Sequence, residues 1–340
     1  MFTPATNTAV NTLPRPDAYV VYGWQRSYFT HKLMAALRFY GADWSFREKT
    51  RDNADEVRLR ADTHQIPVLH TPENWMIADT TPLLHLLDGR FPNRRLFPAG
   101  PLGLLVQIVE EYFDEWIART TVHWRWNYPE NHDLLALDAA HGDADIARSM
   151  IEWGAKVCRA TGVSSAVQKA AAEAEYHRIL EAVEAQLAET PYLLGDRPTA
   201  VDCIVLAGLR AHFLYDPAPK RALHDRYPAA VRWAEADDTA WDGTGHLADV
   251  PDSTPFARFV LAEMKDTYGP FALGNRDALA AGSRAFVIPM YGEDVSYLAR
   301  PYVEQSRRMI ADRIDRELAG DARARFDAWL DSVGLKAMFA

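Results

Sequence analysis

The chain has 340 residues, enough for two domains and an appendage. Hydrophobic residues make up 48% and charged ones 25%, the ordinary balance of a globular chain. The net charge of -10 argues against nucleic acid or anionic membrane as a partner. Two cysteines, Cys158 and Cys203, are too few for a disulfide framework or a zinc cluster.

Residues 1–17 lack a basic start and an apolar core, so they read as a flexible tail rather than a signal peptide. No apolar run approaches the roughly 18 residues of a membrane span. The expected location is therefore cytoplasmic. Ala18-Tyr19-Val20-Val21-Tyr22 reads as a buried strand. After a turn at 23–26, Phe29, Leu33, Ala36, Leu37 and Tyr40 recur at helical spacing until Gly41. Trp44 and Phe46 alternate with polar residues as in a second strand, and 55–60 reads as a short helix. Gln65-Ile66-Pro67-Val68-Leu69 is a strand beginning at its proline, which cannot donate to a ladder. Trp75 to Ala78 is a further strand. Asp79-Thr80-Thr81-Pro82 then opens a helix with a hydroxyl cap and a first-turn proline. A right-handed crossover makes the first two strands parallel.

This order of elements, with Ile66-Pro67 followed by Asp79-Thr80, resembles the glutathione transferase superfamily. The resemblance covers residues 18 to about 240. It implies an α/β thioredoxin-like N-terminal domain over 18–98, an all-α domain over 99–240, and glutathione as co-substrate with no metal. In that family a Val or Ile before a cis-proline pairs with the cysteinyl unit, and a Glu/Gln-Ser pair holds the γ-glutamyl end. Here Ile66-Pro67 and Asp79-Thr80 fill those places. Asp79 is one methylene shorter than the family's acid or amide. Gln65, His64 and Arg51 are candidates for the glycyl carboxylate.

Ser27 starts the first helix, where free N–H groups favour an anion and help a thiol to ionise. It can also serve only as a cap. The run from Arg26 to Lys32 is similar to serine-type, zeta-like transferases, which places their catalytic serine on Ser27. Tyr22, at the end of the first strand, and Tyr28 compete for that role, although either can be a packed core tyrosine. Ser27 and Thr30 stand at a Cys-x-x-Cys spacing and can form no disulfide, which argues against a reductase.

Phe97-Pro98-Ala99-Gly100-Pro101 breaks the chain before the helical region. Tyr112, Trp116, Thr120 and His123 share one helix face, which periodicity alone reads as core. The resemblance implies instead that this helix lines the pocket for a small apolar electrophile. The aromatic run 124–128 could cover an apolar ligand. Residues 129–143 read as a loop with room for a short helix, and 165–188 as a long helix. Thr199 with Asp202 forms a capping box ahead of an apolar, buried helix. This matches the family's second signature, whose role is in folding.

Residues 241–340 are additional to the family pattern. They read as mostly helical over 255–267, 275–283, 297–318 and 320–333, with an extended run at 285–290. They could pack over the helical domain, cap the electrophile pocket or alter a dimer. The resemblance implies a homodimer that conjugates glutathione thiolate to an apolar electrophile, or catalyses a glutathione-dependent isomerisation. A non-catalytic carrier or association protein on the same fold is the alternative.

Overall fold

A computed structural model describes residues 13–139 and 143–340. Most of the expected tail therefore lies outside the described residues. Its last part is tied down: the Leu13 N–H donates to Glu56 at 3.1 Å, and Arg15 Nε donates to the Pro72 carbonyl at 2.6 Å.

The N-terminal unit runs β1 (Tyr19–Gly23), α1 (Tyr28–Tyr40), β2 (Trp44–Glu48), α2 (Arg51–Ala61), β3 (Val68–His70), β4 (Met76–Ile77) and α3 (Thr80–Arg90). Its sheet has the order β2-β1-β3-β4, with β1 and β2 parallel and the other pairs antiparallel. The all-apolar β1 is covered on both faces. Tyr19 and Val21 pack on the side of α1 and α3, whereas Val20 and Tyr22 pack with Val57 of α2. Successive strand residues point to opposite faces, so this division follows from the sequence alone. Gly41 ends α1 in the left-handed region, at φ 67°.

The helical unit comprises α4 (Gly100–Glu111), α5 (Ala118–Trp126), α6 (Glu130–Ala139), α7 (Ala144–Ala160), α8 (Ala166–Leu187), α9 (Ala200–Gly208), α10 (Pro217–Leu223) and α11 (Pro228–Glu235). A π-helical stretch, Tyr112–Ile117, joins α4 to α5. The expected loop at 129–143 is largely the helix α6; residues 140–142 lie outside the described residues. Every residue of α9 is buried, and its capping box is present: Asp202 accepts the Thr199 N–H at 2.7 Å and the Leu193 N–H at 2.9 Å. Burial pushes the Asp202 carboxyl up to about 6, against these hydrogen bonds.

The C-terminal segment adds α12 (Pro255–Asp266), α13 (Tyr268–Ala280), β5 (Ala285–Met290), β6 (Glu293–Leu298), α14 (Pro301–Glu317) and α15 (Gly320–Ser332). β5 and β6 form a hairpin about Tyr291 and Gly292, both at positive φ. The extended run expected at 285–290 is its first strand; the second strand was not expected, and the helix expected from 297 begins only at Pro301. The segment packs on α4 and α8. Arg313 of α14 donates to the Gly103 carbonyl at 3.1 Å and to Gln107 at 2.9 Å. Tyr268 and Ser306 both donate to the buried Glu111 of α4. One apolar core runs through all three segments.

Candidate functional site

A cleft of about 470 Å³ lies where the three segments meet. Its size falls within the roughly 300–1,000 Å³ of small-molecule sites. The N-terminal unit contributes Phe29, Gln65, Ile66, Pro67, Asp79 and Thr80. The helical unit contributes Asp114, Glu115, Trp116, Arg119, Val122 and Thr161. The C-terminal segment contributes Phe271 and the run Tyr297 to Tyr302.

The Ile66–Pro67 peptide is cis. The β3 ladder begins at Val68, opposite Tyr22, so Ile66 stands just outside it and its main chain is not used by the sheet. Asp79 precedes α3 at φ 70°, a left-handed conformation that is costly for a residue with a Cβ. Its side chain does not cap the helix. Burial holds the Asp79 carboxyl above the ordinary range, with Asp114 adding to the effect and Lys32 opposing it.

Beneath this wall lies a buried charged knot. Lys32 of α1 is fully enclosed and pairs with Glu110, with Asp114 at 3.3 Å and with Thr81 Oγ1 at 2.8 Å. Thr81 in turn donates to Glu110 at 3.0 Å. Burial works to lower the Lys32 pKa, but Asp114 and Glu110 outweigh it and keep the ammonium charged. Two carboxylates share one ammonium here. Burial pushes Glu110 up to about 7, opposed by Lys32 and reinforced by Asp114.

The expected residues divide clearly. Gln65, Ile66, Pro67, Asp79, Thr80 and Trp116 come together on the cleft wall. Ser27 is half-buried at the N-cap of α1, where its Oγ accepts the Thr30 N–H at 3.3 Å. It is set back from the wall, which the first turn of α1 reaches through Phe29. Tyr22 is buried on the α2 side of the sheet, away from α1, because strand alternation sends it there. Tyr28 is buried against α9 and donates to the Phe113 carbonyl at 3.3 Å. Neither tyrosine reaches the cleft. Tyr112, Thr120 and His123 are buried off the wall: Tyr112 donates to Glu175 at 3.2 Å, Thr120 to the Ile117 carbonyl at 2.7 Å, and His123 Nε2 lies 2.9 Å from Glu173. The π-helical stretch widens the turn between Tyr112 and Ile117, so the four-residue spacing no longer defines one face.

Among known proteins, residues 143–236 match the family model for the glutathione S-transferase C-terminal domain. Over these residues the chain is similar to the glutathione transferases. No curated protein sequence matches the chain. Several solved structures resemble this chain. A glutathione S-transferase from Rhodospirillum rubrum F11 is 17% identical over 72% of this chain and 91% of its own, with a TM-score of 0.45. The beta-etherase LigF from Sphingobium sp. strain SYK-6 is 15% identical over 66% and 96%, with a TM-score of 0.49. A glutathione S-transferase from Methylobacillus flagellatus KT with GSH bound is 15% identical over 64% and 93%, with a TM-score of 0.42.

Among the described residues, no group of His, Cys, Asp or Glu is arranged to hold a metal ion, and no helix is long and apolar enough to cross a membrane. Both cysteines are buried, and burial pushes the Cys158 thiol up to about 11. Several residues at this cleft were not expected from the sequence. Asp114 and Glu115 interrupt an otherwise apolar helix, four residues after Glu110 and Glu111, and that acidic repeat inside a buried run was a readable signal. Lys49 donates to the carbonyls of His64 at 2.8 Å and Gln65 at 3.4 Å, which brings an ammonium beside the cleft wall. Only the tertiary fold carries Lys49 there.

Proposed function

We propose that the cleft binds glutathione and that the protein transfers its thiolate to a small apolar electrophile. The observation that carries this is the joint position of Ile66 and the Asp79-Thr80 pair on one wall. Ile66 offers main-chain groups outside the ladder, which suit pairing with the cysteinyl backbone as an added strand would. Asp79 meets the γ-glutamyl ammonium, and the open N–H groups at the start of α3 meet the neighbouring carboxylate. Lys49, whose ammonium donates to the Gln65 carbonyl, is a candidate cation for the glycyl carboxylate. Arg51, by contrast, is exposed and pairs with Asp143 at 3.7 Å.

Ser27 accepts the Thr30 N–H through a lone pair, so its own proton is free to donate to a thiolate above the first turn of α1. Holding the thiolate and orienting it toward the apolar part of the cleft supply the rate gain. A homodimer in the cytoplasm belongs to this reading, and sedimentation equilibrium tests the first part of it.

The set-back position of Ser27 favours a second reading, in which the cleft holds the tripeptide without activating it. Calorimetric titration with glutathione, together with thiolate ultraviolet absorbance, separates the two. Under the catalytic reading, Ser27→Ala keeps affinity and loses the thiolate signal. A wild type that binds glutathione with no thiolate signal supports the second reading, and one that binds none ends both.

A further inference from the structure

The buried Glu175 carboxylate accepts from Arg119 Nη2 at 2.5 Å, Trp116 Nε1 at 2.7 Å, Tyr291 Oη at 3.0 Å and Tyr112 Oη at 3.2 Å. It is therefore well supplied with donors, and Arg119 is not well supplied with acceptors. Arg119 reaches Glu175 through Nη2 alone. Its Nε and Nη1 are buried and have no hydrogen-bond partner among the described residues. Burial works to lower the Arg119 pKa, but Glu175, first among the opposing groups, helps to outweigh it and the guanidinium stays charged. The Trp116 ring lies 4.2 Å from the Arg119 Cζ. A ring face attracts the cation but offers no lone pair to its N–H groups.

Tyr297 of β6 repeats the pattern. Its ring centroid is 6.2 Å from that of Trp116, so phenol and guanidinium both pack against the same indole. Its hydroxyl is buried and also has no hydrogen-bond partner among the described residues. Burial pushes the phenol up to about 12, so it keeps its proton and remains a donor. Arg119 is 3% exposed and Tyr297 2%, yet both side chains line the cleft. Buried donors in folded chains are nearly always paired, so three unpaired ones around one cleft-lining ring point to a ligand. The acids of the cleft are matched elsewhere: Glu115 pairs with Arg300 at 3.2 Å, and Asp114 lies 3.3 Å from Lys32.

We propose that Arg119 and Tyr297 form a carboxylate subsite, and that the cleft takes a small organic acid whose apolar body rests on Trp116 and Phe271. As a statement about an electrophile, an apolar one that carries one carboxylate, this rests on the glutathione-dependent reading above; as a statement about binding, it stands by itself. A carboxylate has two acceptor oxygens, enough for a guanidinium N–H and the phenol together. All three donors are covered from solvent in the free chain, so the acid turns them toward the cleft as it enters and meets little competing water there.

The test is calorimetric titration of the full chain, at neutral pH, with phenylpropanoate and with its uncharged amide, phenylpropanamide. Wild type is expected to bind the acid about 10- to 100-fold more tightly than the amide, the range of one hydrogen bond to a charged group. Tyr297→Phe deletes a hydroxyl that no described group uses. It is expected to weaken the acid about 3- to 10-fold while the urea midpoint stays at or above the wild-type value. Arg119→Lys keeps a cation for Glu175 and is expected to erase the preference for the acid. Saturation with S-methylglutathione is expected to leave acid binding in place. Equal affinity of wild type for acid and amide overturns the proposal, as does an undiminished preference in both variants. Acid binding that S-methylglutathione abolishes overturns it too, because the acid then occupies the contacts of glutathione's own carboxylates. A chain that binds the acid but no glutathione keeps the subsite and removes the transferase reading.

Discussion

Asp79 shows how much a single side chain is asked to do in this cleft. Its backbone is held at φ 70°, a conformation that costs a residue with a Cβ about 1–2 kcal/mol. Its carboxylate makes no regular capping hydrogen bond, although the nearby Thr81 N–H favours its charged form. If it receives the γ-glutamyl ammonium, the contact is a charge-assisted hydrogen bond worth about 1.5–3 kcal/mol. Asp79→Asn should therefore weaken glutathione binding about 10- to 100-fold at neutral pH, measured by calorimetry. The direction of its pKa sets the pH dependence. Burial and Asp114 raise the carboxyl, so it takes up its proton at a higher pH than a free aspartate does. As pH falls, wild-type affinity should begin to drop before an ordinary carboxylate would titrate, whereas the Asn variant stays flat across the same range. Equal affinities for the two proteins would remove Asp79 from the site.

At the level of elements, α1, α3 and α4 are joined by the Lys32 knot, and this joint has a pH signature of its own. Glu110 sits at about 7 in the folded chain against an ordinary 4.5. A raised carboxyl means that the folded state holds a proton that the unfolded chain has released. Stability contributed by that proton is complete at low pH and is lost as pH rises from 4.5 through 7. The loss has an upper bound of about 3 kcal/mol, at 1.36 kcal/mol per tenfold change in proton affinity. Urea midpoints across this window should fall for wild type and fall less for Glu110→Gln, which stays neutral and still accepts from Lys32. Parallel profiles would show that Glu110 is ionised throughout.

The same elements show what could be read in advance. The Thr199–Asp202 box and the apolar run of α9 are local patterns, and the fold keeps both. Ile66-Pro67 and Asp79-Thr80 were legible because each is a local backbone signal at a strand or helix start. The helical wall of the cleft was not. Regular spacing put Tyr112, Thr120 and His123 beside Trp116, and the π-helical stretch re-aims the helix so that only Trp116 stays on the wall. No residue pattern in the π-helical stretch itself announces the extra turn width. Tyr22 lies off the cleft for a simpler reason: its parity along β1 sends it to the face away from α1.

On the scale of the whole molecule, the C-terminal segment is part of the core. It supplies Tyr268 and Ser306 to Glu111, Arg300 to Glu115, and Tyr291 to Glu175. Glu175 is fully buried and also accepts from Trp116 at 2.7 Å and from Arg119 at 2.5 Å, so α5, α8, the π-helical stretch and the hairpin meet on one carboxylate. Glu111 and Glu115 would lose these partners if the segment came away, and Glu175 would lose Tyr291, at a cost far above that of a surface contact. The chain should accordingly unfold in one transition, with far-ultraviolet circular dichroism and tryptophan fluorescence tracing the same urea curve. Glu175→Ala leaves the buried Arg119 without a counter-charge, a change that costs about 3–5 kcal/mol. Because Glu175 bonds helix and hairpin alike, the variant should shift both probes together to lower urea. A fluorescence change that precedes the loss of helix would mean that the C-terminal segment unfolds independently, and that the cleft can lose its aromatic wall while the rest of the fold stands.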